Sequence, residues 1–374
     1  MRIGFDAKRA YFNNTGLGNY SRDTIRLLSY TYPNNEYFLY TPEKVNNKRL
    51  SFLNKNQNIT TVTPNYLIDK IFKSYWRSYK LTKSLEKDKL TIFHGLSNEI
   101  PLGIENTNIK SIVTIHDLIF IRYPKLFNLI DRKIYYKKFK SSCERADLII
   151  PISHQTKQDI IKFFSIDERK IKVIYQGCNQ LFQKILYKND LEIVLKKYKL
   201  PKKFLLYVGT IEERKNLLNL LKAVNEIKSI NLVIIGNGNK YKEKCLNYIK
   251  KNKLSSKIFF LKNIPIVDMP AIYQAAEIMI YPSIFEGFGI PIIESLFSKT
   301  PVITSKGGCF EEAGGANTKY VNPLSVDEIK NAIYEILHNI NLKKEMISNG
   351  YQHVQKFTDD RISKNLMKVY KSIL

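Results

Sequence analysis

The 374-residue chain is too long for one ordinary core, and two α/β domains with a sizeable apolar interior are the natural expectation. Its formal net charge of +26 is spread evenly, +14 over residues 1–180 and +12 over 181–374, which argues against a dedicated nucleic-acid surface, as does the lack of zinc-finger spacing, an RNP-type aromatic motif or a basic tail. Four scattered cysteines without a Cys-x-x-Cys pair, no histidine grouping at metal-ligand spacing, no leader-like opening and no apolar run of bilayer length read as a reduced cytoplasmic protein with no metal site.

Ile3 to Asp6 reads as a first strand. It is followed by Asn13-Asn14-Thr15-Gly16-Leu17-Gly18-Asn19-Tyr20 and a helix through Ile25 and Leu28. Gly16 and Gly18 can present backbone N–H groups to a phosphate, although the third glycine of a dinucleotide fingerprint is replaced by Ser21. Strand-like runs then recur at Tyr37 to Thr41, Ile59 to Thr63, Thr91 to His94, Ser111 to Ile115, Leu148 to Ile152 and Lys172 to Tyr175, a parallel-sheet rhythm. The run at Thr114-Ile115-His116-Asp117 leaves His116 at a strand end, where a catalytic residue is expected.

Two stretches of this half exceed the basic background. Residues 70–89 net +5, with Lys73, Arg77 and Lys80 around Trp76 and other aromatics at helical spacing; residues 132–145 also net +5 and include Lys137 and Lys138. Both read as basic amphipathic helices, and the pair points to peripheral contact with an anionic bilayer.

The rhythm lapses into a polar, lysine-rich stretch ending at Pro201. That sets a first domain at 1–183, a linker at 184–202 and a second domain at 203–357. The second series of strands is Phe204 to Val208, Asn231 to Ile235, Lys257 to Leu261, Ile278 to Tyr281 and Pro301 to Thr304, followed by helices at Val326 to Asn339 and Leu342 to Phe357 and an amphipathic segment from Asp360 to Leu374. Two loops here carry chemistry. Gly209-Thr210-Ile211-Glu212-Glu213-Arg214-Lys215-Asn216 sets a fork donor beside a point cation, the combination a diphosphate needs. Phe285-Glu286-Gly287-Phe288-Gly289-Ile290-Pro291-Ile292-Ile293-Glu294 brackets a glycine-rich turn with two carboxylates, acceptors suited to sugar and ribose hydroxyls. Amides at Phe288, Gly289 and Ile290 open a helix and face an anion; Gly287 and Gly289 allow close backbone approach.

In this order and spacing, the Gly16-Leu17-Gly18 loop, Thr-Ile-His116-Asp117, Arg214-Lys215 and the Glu286-x7-Glu294 pair resemble the large retaining glycosyltransferase family 4. The Gly-Thr-Ile-Glu-x-Arg-Lys-Asn variant is similar to mannosyltransferases of bacterial surface-polysaccharide pathways. The resemblance implies a GT-B fold: two Rossmann-like domains facing across a cleft, with residues 358–374 crossing back onto the first, acceptor-binding domain. It implies that Glu286 contacts the donor sugar and Glu294 the ribose. Arg214 and Lys215 neutralise the leaving diphosphate, Gly18 adds an N–H, His116 lies beside the reacting centre, and Asn263 and Ile264 line the nucleobase. Two departures stand out: Thr210 replaces an arginine common in relatives, and Asn14-Thr15 precede Gly16 where many carry glycines.

The implied reaction moves a hexosyl group from GDP-mannose or a UDP-hexose to a glycan hydroxyl, the acceptor being lipid-linked, without metal or other cofactor. Competing readings are a soluble glycan-extending transferase, a nucleotide-dependent dehydrogenase and a basic binding protein for nucleic acid or membrane. The dehydrogenase leaves the paired glutamates and Arg214-Lys215 unexplained.

Overall fold

The computed structural model describes residues 1–374, the side chain of Lys55 apart. The chain divides into two compact units, Met1–Gly177 with Asp359–Leu374, and Cys178–Thr358. The first contains β1 (Arg2–Asp6), β2 (Glu36–Tyr40), β3 (Ile59–Val62), β4 (Ile92–Gly95), β5 (Lys110–Ile115) and β6 (Leu148–Pro151). They form one parallel sheet in the order β3-β2-β1-β4-β5-β6. The second contains β7 (Phe204–Val208), β8 (Asn231–Ile235), β9 (Ile258–Leu261), β10 (Ile278–Tyr281), β11 (Val302–Ser305) and β12 (Lys319–Val321), in the order β12-β11-β10-β7-β8-β9. Both are doubly wound. In each parallel sheet the order in which strands are added reverses once, between β1 and β4 and between β7 and β10, and loops at the carboxyl ends of such neighbours part to leave a crevice.

The central strands are apolar throughout because helices cover both faces. Phe204, Leu205, Leu206 and Tyr207 are all fully buried. In the first unit Phe93, Val113, Ile115 and Ile149 pack with Leu81, Leu85 and Ile160 from the covering helices.

Four expectations differ from the structure. Lys172 to Tyr175 is not a strand: Lys172 and Ile174 donate N–H bonds to Ile149 and Pro151, but only an isolated Ile149–Ile171 bridge forms. The edge strand β12 is too short to show in the pattern. Residues 184–202, expected as a linker, carry a helix (Lys188–Lys197) that belongs to the second unit, where Lys197 and Tyr198 hold Asp268 at 2.7 and 2.5 Å. Residues 70–89 are not one helix. They break at Phe72 (φ −90°, ψ 56°) and pass through a π-turn at Trp76–Lys80 before the helix Leu81–Lys87.

The helix Asp359–Lys371 completes the first unit, burying Ile362, Leu366, Met367 and Tyr370. Arg26 of the Gly16–Thr31 helix reaches Asp359 at 3.2 Å. Deeper in, Tyr370 Oη lies 2.6 Å from His94 Nδ1, His94 Nε2 lies 2.8 Å from Thr114 Oγ1, and Thr114 Oγ1 lies 2.9 Å from Tyr20 Oη. Burial holds the His94 imidazole down at about 3, so the ring is neutral and this chain of bonds carries no charge.

Candidate functional site

In the second unit the β7 loop is built from close backbone contacts. Gly209 takes φ +154° and donates its N–H to Ile235, while Ile211 donates to Asn237 at 2.8 Å. That approach needs glycines opposite. A Cβ on Gly236 would lie 1.9 Å from Gly209 O, and one on Gly238 would lie 2.1 Å from Ile211 O. Neither was singled out from the sequence, although Gly236-Asn237-Gly238 directly after a strand is the signal. Asn216, left-handed at φ +56°, opens the helix Leu217–Asn225 and ties the two loops together through Pro282 O at 3.2 Å.

This geometry brings Arg214, Lys215 and Glu286 together. Glu286 Oε1 lies 2.6 Å from Lys215 Nζ and 2.7 Å from Arg214 Nη1. Arg214 also donates to Phe285 O at 2.5 Å and pairs with Glu212 at 2.6 Å. Lys215 donates to Tyr281 Oη at 2.5 Å and sits 4.7 Å from that ring's centre. Lys215 and Glu286 are 8% and 9% exposed. Burial alone would raise the Glu286 carboxyl, but Lys215 and then Arg214 hold it below its ordinary value. Withdrawing three charges from water costs on the order of several kcal/mol per ion, offset only by close pairing. Glu286 lies between both cations and Glu212 takes the far side of Arg214, so the cluster in the crevice between the β7 and β10 loops sets two cations against two carboxylates, one of them, Glu212, towards solvent.

The second glutamate is placed differently. Gly289 adopts φ +130°, and a helix follows over Ile290–Phe297 with Pro291 in its first turn. The N–H groups of Gly289 and Ile290 make no hydrogen bond within the described chain. Glu294, one turn in, is half-exposed and accepts from Tyr273 Oη at 2.7 Å. The β11 loop adds Gly307 (φ +81°) and Gly308 (φ +60°), and Cys309 Sγ lies 3.2 Å from Glu286 O. This second glycine pair after a strand was also missed. Asn263 (φ +55°) and Ile264 follow the edge strand β9.

In the first unit the Gly18 N–H points not outward but to Asn13 Oδ1 at 3.2 Å, and a Cβ there would lie 1.8 Å from Asn13 O. The expected phosphate donor is therefore spent inside the loop. Gly16 is exposed with open space about it. His116 is buried at the end of β5, where its Nε2–H donates to Leu96 O at 2.9 Å and its Nδ1 accepts from Gln176 at 3.3 Å. Burial first, and the Arg9 charge after it, push this imidazole down to about 4. Tyr20 packs edge-on against it at 4.7 Å.

The expected membrane residues divide. Trp76 is buried in the core, and the Arg77 side chain is turned inward onto Asp6 at 3.5 Å and Glu99 at 2.5 Å, so neither is a surface contact. The π-turn rotates them in and leaves Leu67, Ile71, Phe72, Tyr75 and Tyr79 outside. Lys73, Lys80 and Lys138 are spanned by Glu43, Asp69 and Glu99, and Lys137 is exposed beside Leu129, Ile130 and Ile134, also exposed. No helix of the described residues is long and apolar enough to cross a membrane.

Comparison with known proteins adds likenesses to family models, to relatives and to a solved structure. Residues 192–353 match the family model of glycosyl transferases group 1, and residues 31–180 match that of Glycosyltransferase Family 4. O-antigen chain mannosyltransferase RfbU of Salmonella typhimurium is 30% identical over 77% of this chain and 75% of its own. O-antigen chain mannosyltransferase B of Escherichia coli is 24% identical over 99% of this chain and 100% of its own. In fold, Anabaena HepE in complex with UDP and glucose superposes with a TM-score of 0.78 at 15% identity over all of both chains, which sets the fold class as GT-B.

Proposed function

The chain belongs to glycosyltransferase family 4, and from that membership we propose that it transfers a hexosyl group from a nucleoside-diphosphate sugar to a glycan hydroxyl with retention of configuration. The observation that carries the reading is Glu286 Oε1 shared between Lys215 and Arg214 at 2.6 and 2.7 Å, in the crevice between the β7 and β10 loops. The barrier is departure of the diphosphate as the sugar becomes oxocarbenium-like, and preorganised positive charge on the leaving oxygens lowers it most. Arg214 and Lys215 supply that charge with no metal ion. Glu286 is assigned the donor sugar, Glu294 the ribose, the amides at Gly289 and Ile290 an anionic oxygen, and Asn263 and Ile264 the nucleobase.

The acceptor attacks on the face the diphosphate leaves, and a phosphate oxygen takes its proton. His116 fits this because its nitrogens are already engaged by Leu96 and Gln176 and its ring is neutral. It contributes shape and a fixed dipole, not proton transfer. The names of the two O-antigen relatives make GDP-mannose the first donor to test, with UDP-hexoses second. The acceptor is a lipid-linked glycan reached at the cytoplasmic face of the inner membrane, where the exposed apolar and basic side chains of 66–80 and 129–138 meet anionic lipid.

The test is incubation of the purified protein with radiolabelled GDP-mannose, UDP-glucose and UDP-galactose, with lipid-linked glycan acceptors, and determination of the product anomer. Turnover with an inverted anomer would overturn the retaining mechanism. Absence of turnover with every donor would overturn the transferase reading.

A further inference from the structure

The relation that places Arg214, Lys215 and Glu286 recurs in the first unit. There β1 and β4 are the neighbours at which the strand order reverses, as β7 and β10 are in the second. Lys8 and Arg9 follow β1, and Leu96 to Glu99 follow β4. The β4 loop is held on both sides. Leu96 O and Asn98 Oδ1 bind His116, at 2.9 and 3.0 Å, while Glu99 takes Arg77 at 2.5 Å and Lys138 at 3.3 Å.

Charge in this crevice is not balanced. Asp6 and Glu99 are engaged by Arg77 and Lys138, and neither Lys8 nor Arg9 has an ion-pair partner among the described residues. Lys8 is half-buried, and its ammonium is pushed below its ordinary value, first by burial and then by Arg77. Arg9 is exposed, and its field reaches both Lys8 and His116. Asp6 and Glu99 draw the Lys8 ammonium the other way but are themselves held by Arg77 and Lys138, and burial with the two arginines outweighs them, so an arriving anion stabilises it. The segment that supplies Arg77 also exposes Ile71, Phe72, Tyr75 and Tyr79. Cations without an ion-pair partner beside an apolar flank match an amphiphilic anion.

We propose that Lys8 and Arg9 bind the phosphate ester of a lipid-linked acceptor, the lipid lying along Ile71, Phe72, Tyr75 and Tyr79. Arginine supplies the fork and lysine the point charge. The proposal deepens the transferase reading and rests on it for the word acceptor; the anion site itself stands on this unit's own geometry.

The experiment is calorimetric titration of the full chain, with GDP and UDP at saturation to occupy the second unit's phosphate site. The probes are farnesyl diphosphate, farnesol and inorganic pyrophosphate. Farnesyl diphosphate is expected to bind more tightly than either other probe. Lys8→Met with Arg9→Gln should weaken it by about tenfold or more, the loss of a charge-assisted contact, and leave farnesol unchanged. Ile71→Asp with Tyr75→Asp should weaken farnesyl diphosphate and leave pyrophosphate unchanged. Should the Lys8 variant fail to fold, Arg9→Gln alone, at an exposed position, carries the same expectation. Unchanged farnesyl diphosphate affinity in the charge variants would overturn the site. Pyrophosphate binding as tightly as farnesyl diphosphate would overturn the lipid assignment. Because these are binding measurements, they are independent of donor turnover by the wild-type protein, which tests the transferase reading separately.

Discussion

Gly236 packs so closely on Gly209 that a β-carbon at Gly236 would sit 1.9 Å from the Gly209 carbonyl oxygen. The neighbour is backbone and cannot swing away, so the loop that carries Arg214 and Lys215 would have to move. Gly236→Ala should cost about 1–3 kcal/mol of stability and weaken nucleoside-diphosphate binding as well. Denaturant melts and calorimetry on the same preparation check this. Wild-type values in both would show that the loop is not anchored there.

Glu286 and Lys215 should separate two kinds of failure. Glu286→Gln removes the carboxylate but leaves both cations to meet phosphate, so transfer should fall by about 100-fold or more while GDP or UDP affinity holds or rises. Lys215→Met should weaken nucleotide binding and transfer together. Circular dichroism monitors the fold, and equal nucleotide affinities in the two variants would contradict the assignment of charge to the leaving group.

Acid should destabilise the first unit in a defined window. Folding holds the imidazoles of His94 and His116 down at about 3 and about 4, mainly by burial. An unfolded histidine takes its proton near pH 6.5. Between these values the unfolded state binds more protons, so stability rises with pH and is lost as pH falls from about 6.5 towards 4. Urea midpoints across that range should drop, with little effect of these two groups above pH 7. A flat or opposite slope would mean that at least one ring is charged in the folded protein.

Transfer should persist in excess EDTA, because Arg214 and Lys215 stand where a divalent ion would otherwise neutralise the diphosphate. Loss of activity restored by magnesium would show that the two side chains do not suffice.

Membrane binding should depend on apolar insertion as well as on charge. Ile71→Asp with Phe72→Asp should abolish cosedimentation with vesicles containing phosphatidylglycerol, whereas Trp76→Ala should act through stability, since that side chain is in the core. Cosedimentation unaffected by the aspartates would remove the surface from consideration.

The strands of both sheets, the short edge strand β12 apart, were legible because burial on two faces leaves uninterrupted apolar runs such as Phe204 to Val208. The meeting of Arg214, Lys215 and Glu286 followed from their loops leaving strands of the same sheet. Hydrogen-bond competition was not legible. Nothing in the spacing of Gly16 and Gly18 reveals that Asn13 takes the Gly18 N–H, nor that Leu96 and Gln176 occupy both nitrogens of His116. Helical periodicity in 70–89 likewise could not show the turn at Phe72 that sends Trp76 and Arg77 inward.

The Asp359–Lys371 helix has a consequence for the order of folding. The unit whose synthesis starts first receives its last core residues, Tyr370 among them, only after the second unit, Cys178–Thr358, has been made. At common elongation rates that interval is roughly ten to forty seconds. The later unit is continuous in sequence and can close at once, while His94 waits in the earlier one without its tyrosine. The half that starts first on the ribosome is therefore the half that finishes last.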